Sequence, residues 1–339
     1  MVEVAPDAHI SRSHRFTAPA FAALDLGTNN CRMLVGTPAG DGFRVVDSYS
    51  RIVRLGEGLQ NSNRLSEAAM ERALAALCAC ADRLARRAVR SHRAIATEAC
   101  RRADNGAEFL ARARAATGLD IQVIPPREEA ELAVESCAPL LRDAGRRAVL
   151  FDIGGGSTEI AWMRLAGSGR PELIGYQSMP AGVVTLAERF GAAGTEPGGF
   201  EAMVDFVTGQ LAGFEKIHCI RHEIRQGGVA LIGTSGTVTT LAGIALGLPR
   251  YRRALIDGAA LDLATATAAL EQIRQMGVAG LAQHPCVGPD RAEFVLPGCA
   301  IYAAIAGLWP AETLTVADRG LREGMLLRLI RADRRHQRA

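Results

Sequence analysis

Two stretches of the sequence share one layout, and this repeat limits the folds open to the chain. The first reads FAALDLGTNNCRMLVG (21–36) and the second AVLFDIGGGSTEIAWMRL (148–165). In each, an apolar run ends on an acid, Asp25 or Asp152, and a glycine-containing turn leads into a second apolar run, which predicts a β-hairpin. The repeat indicates an internal duplication with one hairpin in each of two similar domains. We expect the two acidic turns to face each other across a cleft.

The segments between and after the hairpins alternate between predicted strands and helices. The stretch LSEAAMERALAALCACADRLARRAV (65–89) has apolar residues at helical spacing after a Ser66 cap. HRAIATEACRRA (92–103) predicts a strand that leads into a helix, and DIQVIPPREEAELAVESCAPLL (120–141) predicts a strand, a proline corner and a helix. This alternation is typical of an α/β fold.

Three glycine-containing loops follow predicted strands: residues 27–29, 154–157 and 233–236. Glycine inside regular structure costs roughly 0.5–1 kcal/mol relative to alanine, so consecutive glycines need a compensating reason. Without a Cβ, the backbone can bring its N–H groups close to an anion, and the third loop opens a predicted helix whose dipole favours negative charge. Three tight turns without a ligand remain the alternative, but the set favours a phosphate site.

Composition excludes several classes of protein. The chain has 48% hydrophobic and 22% charged residues, as in soluble globular proteins. We expect a mobile tail at residues 1–18, no secretory signal and no apolar run as long as the ~18 residues of a membrane span. Eight cysteines without a C-x-x-C pair predict reduced thiols in a cytoplasmic protein. The net charge of +3 requires no nucleic-acid partner.

Seven segments in this order resemble the exopolyphosphatase and guanosine pentaphosphate phosphohydrolase family of the actin-like ATPase superfamily. The resemblance extends from about Ala22 to Leu329. The segments are LDLGTNNCR (24–32), RLGEGL (54–59), IATEACRRADN (95–105), EEAEL (128–132), DIGGGSTE (152–159), GTSGTVTTLA (233–242) and GLREGML (320–326).

The resemblance implies two actin-like (ribonuclease H-like) α/β domains that flank a central cleft. We place domain I at residues 19–137, domain II at 138–317, and a C-terminal helix with a basic tail at 318–339. A hinge near Pro139 would let the cleft open and close. The chain ends too early for the helical phosphohydrolase domain of long members, so we expect the short two-domain form.

The resemblance also implies roles for individual residues. Glu129 matches the glutamate that orients or deprotonates the attacking water, whereas Glu128 and Glu131 are expected to point elsewhere on their helix. Three acids, Asp25, Asp152 and Glu159, would hold Mg²⁺ or Mn²⁺. The phosphate-binding set is Gly27, Thr28, Asn29, Arg32, Arg101, Gly154, Gly155, Gly156, Ser157, Gly233, Thr234, Ser235 and Gly236.

The sequence departs from the family pattern in two places. Asn30 stands where a serine is usual, and Pro125 and Pro126 replace Ser-Gly before the paired glutamates, which stiffens that loop.

The implied activity is release of terminal phosphate from inorganic polyphosphate, from guanosine pentaphosphate, or from both. The substrate would be the principal partner, with no nucleic acid or membrane and with a possible homodimer. A kinase of the actin fold is one alternative. A regulatory protein that senses guanosine tetra- or pentaphosphate without turnover is another.

Overall fold

The computed structural model describes residues 19–141, 145–165 and 170–337. The tail predicted at residues 1–18 and the last two residues of the basic tail lie outside the described residues. Within these ranges the chain forms two mixed β-sheets with helices around and between them.

Sheet A contains the first predicted hairpin, and its strand order is β3-β2-β1-β4-β5. The first three strands pair antiparallel, and β4 and β5 extend the sheet parallel to β1. The strands are β1 (Phe21–Leu26), β2 (Asn30–Ala39), β3 (Gly42–Ile52), β4 (Ser91–Ala96) and β5 (Ile121–Val123).

Sheet B contains the second hairpin and repeats this arrangement. Its order is β10-β11-β9-β6-β7-β8, where β6 and β7 occupy the places of β1 and β2 and the parallel neighbour β9 that of β4. The duplication predicted from the sequence is therefore confirmed in the sheet topology. The strands are β6 (Arg147–Ile153), β7 (Thr158–Arg164), β8 (Glu172–Met179), β9 (Val229–Thr234), β10 (Ala260–Asp262) and β11 (Thr313–Ala317).

Two helices begin where local signals predict. Ser66 caps α2 by accepting a 3.2 Å bond from the N–H of Ala69, and Pro126 occupies the first turn of α5, where a missing N–H costs nothing. The helices of the first half are α1 (Leu59–Ser62), α2 (Glu67–Arg86), α3 (Glu98–Arg102), α4 (Gly106–Thr117) and α5 (Pro126–Cys137). Those of the second half are α6 (Val183–Phe190), α7 (Gly199–His218), α8 (Ile220–Arg225), α9 (Gly236–Ala245), α10 (Arg253–Ile256), α11 (Leu263–Gln283), α12 (Pro289–Leu308) and α13 (Leu321–His336).

Helices α5 and α13 lie between the two sheets. Ala133 and Cys137 of α5 pack with Leu150 and Met163 of sheet B, whereas Met325 and its neighbours in α13 pack on sheet A. The helix predicted at the C-terminus is therefore present, and it returns to the first sheet. The domain boundary at 137/138 stays a prediction, and it falls at the end of a helix that packs on sheet B.

Gly324 in α13 allows the close approach of α5. An added Cβ would overlap the backbone carbonyl of Leu132, whereas a Cβ on Gly209, in the middle of α7, meets nothing within 4 Å. We expect Gly324→Ala to lower the free energy of unfolding by about 1–3 kcal/mol, because the helices must separate. Gly209→Ala is expected to raise it by about 0.5–1 kcal/mol through helix propensity alone. Denaturant unfolding of both variants tests this; equal effects would contradict the packing argument.

Helix α12 corrects one expectation. By length and composition this 20-residue helix is apolar enough to cross a membrane, contrary to the prediction that no stretch reaches that length. A helix packed on several sides is apolar around its circumference, and α12 contacts α6, α7, α9 and α11 in the core beside sheet B.

The eight cysteines, all within the described ranges, are free, and six of them are buried. The prediction of unpaired thiols is therefore confirmed.

Candidate active site

The two acidic turns touch each other. The turn after β1 closes with a 2.9 Å bond from the N–H of Gly27 to the carbonyl of Asn30, and the turn after β6 closes likewise from Gly154 to Ser157. A Cβ on Gly155 would lie 3.1 Å from the amide nitrogen of Asn29, and one on Gly156 would overlap the hydroxyl of Thr28. The consecutive glycines thus permit contact between the two halves of the protein.

The second hairpin places two acids side by side. Asp152 and Glu159 are directly opposed in the β6–β7 register. Glu159 is 5% exposed, and its Oε1 accepts bonds from the hydroxyls of Ser157 at 2.6 Å and Ser178 at 2.9 Å. These two bonds fix the carboxylate at the floor of the cleft.

The third glycine loop joins β9 to α9 next to Asp152. Thr234 pairs with Asp152 in the parallel β6–β9 register, and its hydroxyl bonds to the carbonyl of Arg319. Ser235 has φ +107°, a conformation that costs a side chain about 1–3 kcal/mol, and its buried Oγ has no hydrogen-bond partner among the described residues. The loop holds this hydroxyl at the cleft wall although protein contacts do not satisfy it.

Glu129 enters the cleft from the first turn of α5. The side chain is 4% exposed and forms an ion pair with Arg101. Arg101 also donates to Glu98 at 2.6 Å and to the carbonyl of Ile124 at 2.7 Å, so its position is fixed from three sides. Glu128, which precedes Glu129 in the helix, instead forms an ion pair with Arg93 at 2.8 Å. This confirms that the adjacent glutamates point in different directions.

Arginines from distant segments supply positive charge. Arg32 lies opposite Asp25 in the β1–β2 register. Burial and the positive charge of Arg322 lower the pKa of the Arg32 guanidinium. Arg291, at the start of α12, donates to the carbonyl of Gly236 at 2.8 Å. Sequence reasoning missed Arg322 and Arg291. Arg322 lies in the motif GLREGML and could have been considered, whereas an isolated arginine at a helix start gives no signal.

The buried acids repel one another. Burial, Glu159 and Asp25 raise the pKa of Asp152 to about 7, and burial raises the pKa of Asp25 as well. Burial and the charge of Glu159 raise the pKa of Glu129 above its usual range, although Arg101 opposes the shift. A bound cation would relieve this repulsion.

The acidic residues of the cleft fit a divalent metal whose remaining coordination positions are filled by water and substrate. The Oδ1 atom of Asp25 is buried without a hydrogen-bond partner among the described residues, as a free metal ligand would be. Within those residues, however, no three His, Cys, Asp or Glu side chains gather closely enough to hold a metal alone. This agrees with Mg²⁺, which commonly takes one or two carboxylates and fills its other positions with water and substrate phosphates.

Comparison with known proteins identifies the family. A sequence profile of the Ppx/GppA phosphatase family matches residues 35–332. The chain belongs to the Ppx/GppA phosphatase family. As a member it is a phosphatase with the actin-like ATPase fold.

Solved structures of Ppx/GppA proteins have the same fold. An exopolyphosphatase-like protein superposes with a TM-score of 0.82 at 26% identity, over 92% of this chain and 97% of the other. The Aquifex aeolicus Ppx/GppA family member gives 0.76 at 25% identity, over 93% and 98%. An exopolyphosphatase from Cytophaga hutchinsonii gives 0.80 over 92% and 98%, and at 24% identity it shows the fold alone. The two-domain fold expected from the sequence is confirmed.

Most predicted site residues of this Ppx/GppA protein line one cleft of about 1140 Å³. They are Asp25, Gly27, Thr28, Asn29, Arg32, Glu129, Asp152, Gly154, Gly155, Gly156, Ser157, Glu159, Thr234, Ser235 and Gly236. Two do not line it. Gly233 lies against the ring of Phe151, and the guanidinium of Arg101 is occupied by Glu98, Glu129 and a carbonyl. In this Ppx/GppA structure Arg101 therefore contacts Glu129, whereas the sequence analysis predicted that it contacts phosphate.

The raised pKa of Asp152 gives this Ppx/GppA site a testable pH dependence. Below about pH 7 the carboxyl is increasingly protonated, and a proton competes with a metal for the same oxygens. Mg²⁺ affinity is expected to fall up to about tenfold per pH unit below pH 7 and to level off above it. Calorimetric titration of Mg²⁺ at several pH values measures this. Asp152→Asn is the control, and its weaker affinity is expected to change less with pH.

Proposed function

We propose that the protein hydrolyses the terminal phosphoanhydride of inorganic polyphosphate or guanosine pentaphosphate with Mg²⁺ or Mn²⁺. The observation that carries the proposal is the position of Glu129. This buried carboxylate faces a cleft that is lined by glycine loops from both halves of the protein. A phosphatase needs a base beside the water, donors around the phosphoryl group and an opening for the rest of the substrate.

Glu129 would orient the attacking water and accept its proton. Arg101 holds one of the Glu129 oxygens so that the other can contact the water. We assign Arg101 a positioning role on this basis.

Donors around the transferred phosphoryl group would come from the glycine turns. Among the described residues, the N–H groups of Gly155, Gly156 and Ser157 donate to no protein acceptor, so they are available to phosphate oxygens. Arg32 and Arg322 lie close enough for their positive charges to repel, and an anionic substrate would relieve this repulsion.

Mg²⁺ bound by Asp25 or Asp152 and by phosphate oxygens would neutralise charge that develops in the transition state. The protein's contribution to that site is to hold these carboxylates, at the ends of β1 and β6, within one cleft.

Phosphate release from long-chain polyphosphate and from guanosine pentaphosphate tests the proposal and decides between the substrates. The assay contains Mg²⁺, and a parallel reaction adds ADP and measures ATP. We expect release of phosphate from at least one substrate without any acceptor. Phosphate transfer that requires ADP would support a kinase, and tight binding of guanosine tetraphosphate without turnover would support a sensor.

A further inference from the structure

A second concave site lies on the side of helix α5 opposite Glu129. Glu131 and Glu135 of α5, Arg93 of β4 and the outer face of α13 line a groove of about 540 Å³. It shares no lining residue with the cleft, although Glu129 on the same helix lines the cleft. Its volume is that of a small-molecule site, within the usual range of about 300–1,000 Å³.

The groove is more positive than the cleft. Five arginines and two glutamates line it, whereas the larger cleft is lined by eight arginines and eight acids. Not all of this charge is free: Arg331 and Arg328 pair with Glu135, and Arg93 pairs with Glu128. Arg335, at the rim, has no acidic partner among the described residues and is exposed. The lining therefore carries a net positive charge that the protein itself does not balance.

We propose that this groove binds a compact anion with two or more phosphate groups, separately from the substrate cleft. Guanidinium groups are suited to such a ligand because each presents a planar fork of donors to two phosphate oxygens. Met325, Leu329 and Ala332 add apolar groups to the lining. A free polyphosphate end and a nucleotide polyphosphate share this chemistry.

Binding in the groove would affect the catalytic helix. Arg328 contacts three glutamates of α5: Glu135 at 2.6 Å, Glu128 at 3.4 Å and Glu131 at 3.7 Å. An anion that binds Arg328 or Arg331 would weaken these contacts. The contacts hold α5, the helix that carries Glu129. The two sites are thus coupled through α5, and the coupling is reciprocal for binding.

Calorimetric titration with inorganic tripolyphosphate tests the site. Glu129→Gln in the presence of Mg²⁺ serves as the background, so that turnover is slow while binding is measured. We expect two sites per chain. Arg335→Glu is expected to weaken the affinity of one of the two classes of binding site for tripolyphosphate about tenfold or more, because it reverses an unpaired charge. Glu131→Gln is expected to tighten the same class severalfold, which no loss of folding can imitate. Arg114→Ala, an exposed arginine of α4, is the control and is expected to leave both classes unchanged.

The outcomes separate the possibilities. Binding in one class or two that neither Arg335→Glu nor Glu131→Gln changes would overturn the proposal, whereas a single class that both variants change would place binding in the groove and not in the cleft. Citrate that binds the groove as tightly as tripolyphosphate would overturn the assignment to phosphate. If guanosine tetraphosphate binds the groove more tightly than tripolyphosphate, the ligand is a nucleotide polyphosphate. If it binds more weakly, the ligand is an inorganic polyphosphate chain. These readouts are of binding, so they hold whether or not the proposed hydrolysis is correct.

Discussion

Glu129→Gln is expected to lower kcat by about 10²–10⁴ and to leave KM nearly unchanged. Glutamine keeps the size of the side chain and can still hold a water, but it cannot accept the proton, and general-base catalysis contributes about that factor. The glycine turns that would bind phosphate are not altered. Steady-state phosphate release from the preferred substrate measures both constants.

The matched control is Glu128→Gln, one residue away on the same helix. Glu128 pairs with Arg93 and Arg328, outside the cleft. We expect its replacement to reduce thermal stability slightly and to change kcat by no more than a few fold. A larger loss of kcat from Glu128→Gln than from Glu129→Gln would place the base one residue away. Two silent variants that still hydrolyse substrate would remove Glu129 from catalysis.

Removal of divalent metal is expected to abolish turnover and to weaken substrate binding. Without a cation, Asp25, Asp152 and Glu159 oppose the approach of a polyanion. Burial raises the pKa of all three carboxyls, and at Asp152 the charges of Glu159 and Asp25 add to the shift. Phosphate release and polyphosphate affinity in excess EDTA measure the two effects. Activity is expected to return when Mg²⁺ or Mn²⁺ is added.

Asp25→Asn distinguishes charge repulsion from a general loss of structure. The amide removes one negative charge, so in EDTA this variant is expected to bind polyphosphate more tightly than the wild type, by severalfold. With Mg²⁺ it is expected to turn over more slowly, because a metal ligand is weakened. Full wild-type activity in EDTA would remove the metal role of these acids. Weaker binding by Asp25→Asn in EDTA would show that Asp25 does not repel the substrate.

The sequence predicts the parts of this protein that depend on neighbouring residues. Both hairpins, the Ser66 cap and the helix after β9 follow from local patterns of apolar residues, caps and glycines. The opposite directions of Glu128 and Glu129 follow from helix geometry. The duplication could be recognised because the two copies keep one order of apolar run, acid and turn.

The missed features depend on contacts between distant residues. Arg322 reaches the site because α13 returns to sheet A after the whole second half of the chain, and the motif GLREGML marks the segment without showing this return. Gly324 is needed only where α13 crosses the backbone of Leu132. The contact of Arg101 with Glu129 could not be predicted, because a motif position indicates that an arginine is near the site but not which group it contacts. Its contact with phosphate stays a prediction. Gly233 fits against Phe151, a packing requirement that resembles a phosphate-loop signal in sequence.

Hydrolysis in water enriched in oxygen-18 tests the central claim, that a water in the cleft attacks the terminal phosphorus of a phosphoanhydride. The enzyme with Mg²⁺ and guanosine pentaphosphate, or the first turnover of a short polyphosphate, is analysed by mass spectrometry of both products. The account predicts that each released phosphate carries one solvent oxygen and that the remaining nucleotide or chain carries none. Label in the remaining nucleotide or chain, or no phosphate release until an acceptor nucleotide is added, would contradict it.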